Sequence, residues 1–184
     1  MRYEKTIMLK NGKECLLRSA TGDDAKTVCG IFRKTREETD FLLSYPEEST
    51  MTEEGERQFL ENKEQSERAV EICAFVDGHL AGFAGIDAVG GKEKIRHRAE
   101  FGINVEKAYW GFGIGRALTL ACIECAKKAG FSQVELDVVA ENSRAVSLYE
   151  SVGFREFGRN PRGFRSRLTG WQELVLMRLE LDCV

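Results

Sequence analysis

The chain has 184 residues, 42% of them apolar and 31% charged, with two prolines and a formal charge of −3 at pH 7. That length suits a single domain spanning 1–184 better than two, and the composition excludes the disordered and fibrous classes. The charge balance leaves no footprint for nucleic acid, no run approaches the roughly 20 apolar residues of a membrane span, and Met1 to Glu14 lacks a signal-peptide core, so a cytoplasmic protein is expected.

Glu14 to Arg18 reads as a first strand. Thr21 with Asp24 has the spacing of a capping box opening a helix to about Lys34. A second helix is predicted from near Thr52, carrying Phe59 and Leu60 inward. Acids outnumber bases between Glu37 and Glu67, which reads as a solvated helical face or as a surface for a cationic acceptor. Ala69 to Val76 and Leu80 to Ile86 are strand-like and joined by Asp77-Gly78, a favoured two-residue hairpin turn. Gly90-Gly91 marks the next turn.

Residues 99 to 105 alternate, with Phe101, Ile103 and Val105 on one face and Glu100, Gly102 and Asn104 on the other. After them Ile114, Leu118, Ala121, Cys122, Cys125 and Ala129 form a helical stripe ending at Lys127, Lys128 and Gly130. Val134 to Val139 is a strand; Ala145, Leu148, Tyr149 and Val152 recur at helical spacing, and Gly153 stands where a C-terminal glycine belongs. Two more strands are predicted at about 154–158 and 171–181. The order is that of a mixed α/β domain. Cys15, Cys29, Cys73, Cys122, Cys125 and Cys183 read as small buried hydrophobes, and the lone Cys122-x-x-Cys125 lacks the partners of a zinc site, so no metal is expected.

The segment Trp110-Gly111-Phe112-Gly113-Ile114-Gly115-Arg116 joins a strand to a helix. Alternate glycines admit positive φ and close backbone approach, and a helix start offers free N–H groups, which together make an anion site. The spacing fails the dinucleotide fingerprint in both registers, although Glu135 stands about where a ribose-binding acid would be. It also fails the nucleoside-triphosphate loop, because no lysine follows.

The turn resembles the CoA pyrophosphate loop of the GNAT superfamily of N-acetyltransferases, Gln/Arg-x-x-Gly-x-Gly/Ala. Gly113 and Gly115 match it, and Trp110 departs from its first position. Downstream, Asn142, Ala145, Leu148, Tyr149, Gly153 and Phe154 match the family signature Asn-x-x-Ala-x-x-Leu-Tyr-x-x-x-Gly-Phe. The segments Leu16 to Ala25 and Trp171 to Met177 resemble the family's first strand and helix and its final strand. The resemblance implies a mostly antiparallel sheet of six to seven strands, flanked by about four helices and splayed near the CoA site.

It further implies acetyl transfer from acetyl-CoA to a primary amine, the acceptor being a small molecule or a protein N-terminus, and it is compatible with a homodimer. CoA would be held by the turn residues Trp110 to Arg116, by the backbone of Ile103, Asn104 and Val105 pairing with pantetheine, and by Asn142, Ala145 and Tyr149. Tyr149 is the expected proton donor to the leaving thiolate. Glu100 is the first choice for the base, with Glu135, Asp137 or a water chain as alternatives. The cluster Arg159, Arg162, Arg165 and Arg167 reads as a solvated basic loop or as a holder of an acidic group on the acceptor. A CoA-binding regulatory protein without turnover is the alternative of a different class.

Overall fold

The computed structural model describes residues 1–181; Cys183 lies outside them. Eight strands form one sheet in the order β1-β2-β3-β4-β5-β6-β8-β7, antiparallel except for the parallel β5–β6 pair. The strands are β1 (Glu4–Met8), β2 (Glu14–Ser19), β3 (Val70–Val76), β4 (His79–Ala88), β5 (Arg98–Val105), β6 (Gln133–Val139), β7 (Arg155–Ser166) and β8 (Gly170–Glu180). The helices are α1 (Ala25–Glu38), α2 (Glu53–Gln65), α3 (Ile114–Lys128) and α4 (Ser143–Ser151).

The capping box at Thr21 forms, with the Asp24 carboxylate accepting from the Thr21 amide at 2.8 Å, but it opens a short 3-10 turn before α1 proper begins. α1 runs to Glu38, one turn beyond the predicted end, and buries Ala25, Val28, Ile31 and Thr35. Thr52 caps α2, accepting from the Gly55 amide at 3.0 Å. Leu60 is buried as expected, whereas Phe59 is 39% exposed and turns toward a cleft rather than the core.

The sheet has two unlike faces. On one, Ile86, Phe101, Val134, Leu136, Val175 and Met177 pack with Ile114, Leu118, Cys122 and Cys125 of α3 in the main core. On the other, a smaller cluster joins Val28 and Ile31 of α1 and Leu60 of α2 to Cys73, Leu80 and Phe83. Cys15, Cys29, Cys73, Cys122 and Cys125 are free thiols, all but Cys29 buried.

Two strand readings change. β1 carries few apolar residues and buries almost nothing, so no side-chain pattern announces it; its place comes from backbone pairing with β2. β7 extends to Ser166, so the arginine segment is strand rather than loop. Pro161 and two glycines are tolerated because this is an edge strand with register shifts.

Candidate active site

β5 and β6 pair only at Arg98↔Gln133, Ala99↔Val134 and Glu100↔Glu135. Beyond Glu100 each strand is still paired on its outer side, β5 with β4 as far as Val105 and β6 with β8 as far as Val139. Their inner edges therefore diverge into a fork whose backbone groups lack a ladder partner, an open seat for an extended chain. Phe101, the first residue past the last pair, meets Tyr149 edge-on at 6.0 Å and Phe154 at 6.5 Å.

The glycine turn stands at the end of β5. Gly111 and Gly113 have φ of 87° and 102°, values an L side chain rarely adopts. With the chain bent in this way, none of the six backbone N–H groups from Gly111 to Arg116 donates a hydrogen bond among the described residues. The helical ladder starts only at Ala117, whose amide donates to the Gly113 carbonyl at 3.0 Å. Six successive donors at a helix N-terminus form an anion cradle.

Trp110 does structural work here. Its indole N–H donates to the Val105 carbonyl at 2.8 Å, tying the turn to the strand, and Arg144 lies over its ring at 5.1 Å. The Val105 carbonyl is thus already engaged, which leaves Ile103 as the freer backbone position, because Asn104 lies in the β4 ladder opposite Phe83. Arg116 reaches across to α4, donating to Ser151 Oγ at 2.7 Å. Asn142 caps α4 by accepting from the Ala145 amide at 3.3 Å, so the Asn-x-x-Ala spacing of the motif is also a helix start.

Tyr149 is 6% exposed, and burial pushes its pKa well above the ordinary phenol value. Its hydroxyl meets no protein acceptor among the described residues, yet the oxygen is not sealed from solvent, so it retains a proton to donate.

The opposite face holds a cleft of about 290 Å³. Gly85, Asp87, Gly102 and Asn104 floor it, while Phe32 of α1 and Phe59 of α2 stand at its sides. Lys63 crosses it, 2.7 Å from both Glu71 and Asp87. Burial opposes the Lys63 charge, but the two carboxylates outweigh it and raise its pKa; at Glu71 burial prevails and raises the carboxyl. Glu56, at the same wall, is also pushed up, first by burial and then by Glu71.

The three expected base candidates separate. Glu135 is held bidentately by Arg98, with Nη2 to Oε2 at 2.6 Å, which draws its carboxyl below the usual range and commits it to an ion pair. Glu100 is exposed, lies opposite Asp87 and Glu135 in the register, and stands beside the cleft at the start of the fork. Asp137, two residues up β6, is pushed up by burial and then by the charge of Glu135.

The arginine cluster does not meet the cleft. Arg159 is paired with Glu156 and Glu173, and Arg167 with Glu47. Arg162 and Arg165 both lie 5.3 Å over the Trp171 ring. Arg165 and Trp171 share one face of the hairpin. Their neighbours Phe164 and Gln172 share the other, where Gln172 donates to the Asp40 backbone at 3.2 Å in the segment after α1.

Asn104 also serves the second face. Its side-chain oxygen accepts from Thr35 and Arg36, both at 3.3 Å, and its backbone lies in the ladder opposite Phe83, so it serves the α1–α2 face rather than the open edge. Arg36, Lys63, Glu71 and Asp87 escaped the sequence reading because four separate elements supply them and none sits in a local motif.

A forked parallel pair beside a bare row of helix-start amides defines an acyl-CoA-binding transferase. Residues 34–154 match the family model for Acetyltransferase (GNAT) family. The [ribosomal protein bS18]-alanine N-acetyltransferase of Escherichia coli (strain K12) is 31% identical over 128 residues, 70% of this chain and 81% of that protein. A GNAT-family acetyltransferase from Streptococcus pneumoniae superposes with a TM-score of 0.87 at 28% identity, covering 91% of this chain and 99% of that one. A Salmonella typhimurium acetyltransferase solved with its cofactor acetyl-CoA shares the fold at a TM-score of 0.79 and 21% identity, covering 91% and 94%. The chain belongs to the GNAT acetyltransferase family: it is an N-acetyltransferase that uses acetyl-CoA and acts on an amine acceptor.

Proposed function

We propose that the chain acetylates a primary amine by direct attack within a ternary complex assembled from the two faces of the fork. CoA pyrophosphate lies on the amides of Gly111 to Arg116, and pantetheine runs along the free edge of β5 at Ile103. The thioester then meets the amine above Gly102. The observation that carries this reading is the coincidence of six unengaged amides with a strand edge that loses its partner after Glu100. Phosphate oxygens satisfy the amides, each such charged hydrogen bond being worth about 1.5–3 kcal/mol.

Tyr149 protonates the thiolate as the carbon–sulfur bond breaks. Its raised pKa keeps the donor loaded across the working pH range. The amine must lose a proton before attack, since an alkyl ammonium has a pKa of about 10.4. Glu100, uncommitted to any ion pair among the described residues, takes that proton. Asp137 is a second candidate favoured by one observation, its upward pKa shift, which makes a carboxylate a better base near neutral pH. Acidic side chains around the cleft favour entry of a cationic acceptor.

The test is thiol release from acetyl-CoA with a panel of amines, among them peptides with free N-termini, polyamines and amino acids. Release with at least one amine, together with an acetylated product by mass, supports the reading. Tight acetyl-CoA binding without release from any amine would establish the regulatory alternative instead.

A further inference from the structure

The cleft on the α1–α2 face is electrostatically lopsided. At one end Glu56, Glu71 and Asp87 share a single lysine, Lys63. Just outside the other end, against the Asn104 that closes the floor, stands a cation that no carboxylate pairs with among the described residues. Arg36, on the last turn of α1, lies half-buried with its guanidinium over the Phe32 ring. Its Nε donates to Ser44 Oγ at 2.7 Å, and its Nη1 donates to the Phe32 carbonyl at 2.8 Å and to Asn104 Oδ1 at 3.3 Å. Every one of these acceptors is neutral.

Among the described residues no carboxylate pairs with Arg36. Of the nearby acids in sequence, Glu37 is exposed and makes no ion pair with Arg36 among the described residues, while Glu38 accepts from the Lys107 amide at 2.7 Å and Asp40 from Ser166 Oγ at 2.6 Å. Burial alone pulls the Arg36 pKa down to about 10, whereas Arg18, Arg98 and Arg167, each bonded to a carboxylate, are shifted up. A cation stripped of water and left without an anion is unfavourable, and binding a complementary anion relieves it. Phe32 and Asn104, which Arg36 touches, both line the cleft, and Gly102, two residues from Asn104, lies just inside the fork that opens after Glu100.

We propose that Arg36 anchors the carboxylate of an amino-acid-type acceptor, so that the amine on the neighbouring carbon is set above Gly102 at the thioester. This deepens the transferase reading and rests on it. Two strand residues span about 7 Å, and a guanidinium–carboxylate hydrogen bond of about 2.8 Å together with the roughly 3 Å from carboxylate oxygen to α-amine nitrogen covers about 6 Å of it. Arg36 Nη2, which donates to nothing among the described residues, supplies the donor. Arg162 and Arg165, on the far face of the β7–β8 hairpin, are not needed for this task.

The experiment compares free L-amino acids with their carboxamides as acceptors, each carrying the same amine and side chain. Wild type should prefer at least one free acid over its carboxamide by about tenfold to a hundredfold in kcat/KM, the scale of one charged hydrogen bond lost. Arg36→Gln should bring that ratio close to one, mainly through KM, and Arg36→Lys should restore part of it because the charge returns. Unchanged stabilisation by acetyl-CoA in both variants shows that they are folded and still bind the cosubstrate; if Arg36→Gln does not fold, the Arg36→Lys ratio decides alone. Equal turnover of acid and carboxamide by wild type, or a preference that survives in Arg36→Gln, overturns the anchor. Thiol release only with amines lacking a carboxylate overturns the anchor while leaving the transferase reading standing, and no release with any amine overturns both.

Discussion

In the function we propose, the two faces of the fork recognise their ligands by different means. On the α3–α4 face recognition is done by backbone: bare amides of one turn and the free edge of one strand, supported by an apolar core. On the α1–α2 face it is done by side chains, with Lys63, Glu71 and Asp87 lining a cleft and Arg36 bonded to Asn104 at its end, four elements in all. Backbone donors suit a constant ligand, since phosphate and pantetheine are the same in every acyl-CoA. Side chains can vary without disturbing the sheet, which lets one fold serve many amines.

The sharpest way to break this division is at Tyr149, which packs on the α3–α4 face against Phe101 where the fork opens. Tyr149→Phe keeps the ring against Phe101 and Phe154, so folding and acetyl-CoA binding should hold while turnover falls about 10²- to 10⁴-fold. Wild-type rates should show no alkaline decline from this residue up to pH 10, because burial holds the phenol protonated. Rate against pH for both proteins checks both statements, and full turnover by the variant would remove Tyr149 from catalysis.

Lys63→Met tests whether the acceptor face depends on its buried charge network. Removing the cation strands Glu71, and stability near pH 7 should drop by about 3–5 kcal/mol. A carboxylate whose folded pKa is raised above its unfolded value costs stability above that pKa. The deficit should therefore shrink as pH is lowered toward 5, in urea melts of the two proteins.

Gly113→Val acts on the other face. No atom crowds the position, so the cost is backbone conformation at φ 102°. The stabilisation by acetyl-CoA, about 2.7 kcal/mol at a hundredfold excess over the dissociation constant, should vanish while the circular dichroism stays near native. An undiminished thermal shift would show that pyrophosphate sits elsewhere.

A finer cut separates the base candidates. Glu100→Gln should slow turnover by up to about 10²-fold at pH 7, and the loss should shrink toward pH 10 as more amine is already neutral. A constant ratio across that range for Glu100→Gln, with a pH-dependent one for Asp137→Asn, would transfer the role to Asp137.

The smallest effect concerns the ion pair below the fork. Glu135→Gln should cost less than about 1 kcal/mol at pH 7, since Arg98 is partly solvated. Because the Glu135 pKa is depressed, its contribution is present above the unfolded value and is lost as pH falls below about 4. Acid titration of stability for both proteins should show the curves converging there.

The amino-acid sequence by itself determined most of the cofactor half. Asp77-Gly78 marked the β3–β4 hairpin, the alternation of 99–105 marked β5, and the glycine turn followed by Asn142, Ala145 and Tyr149 marked the segments that we propose hold CoA. These signals are local: a turn, a period of two and a helix start each fix backbone geometry within a few residues. Tertiary structure alone decided the acceptor half. No local pattern announces that β5 and β6 part after Glu100, that Glu135 is spent on Arg98, or that the arginines of β7 face away from the cleft. Nor does anything near Arg36 in the chain show that its charge goes unpaired beside Asn104, because burial and counter-charge are set by residues brought together from 68 positions apart.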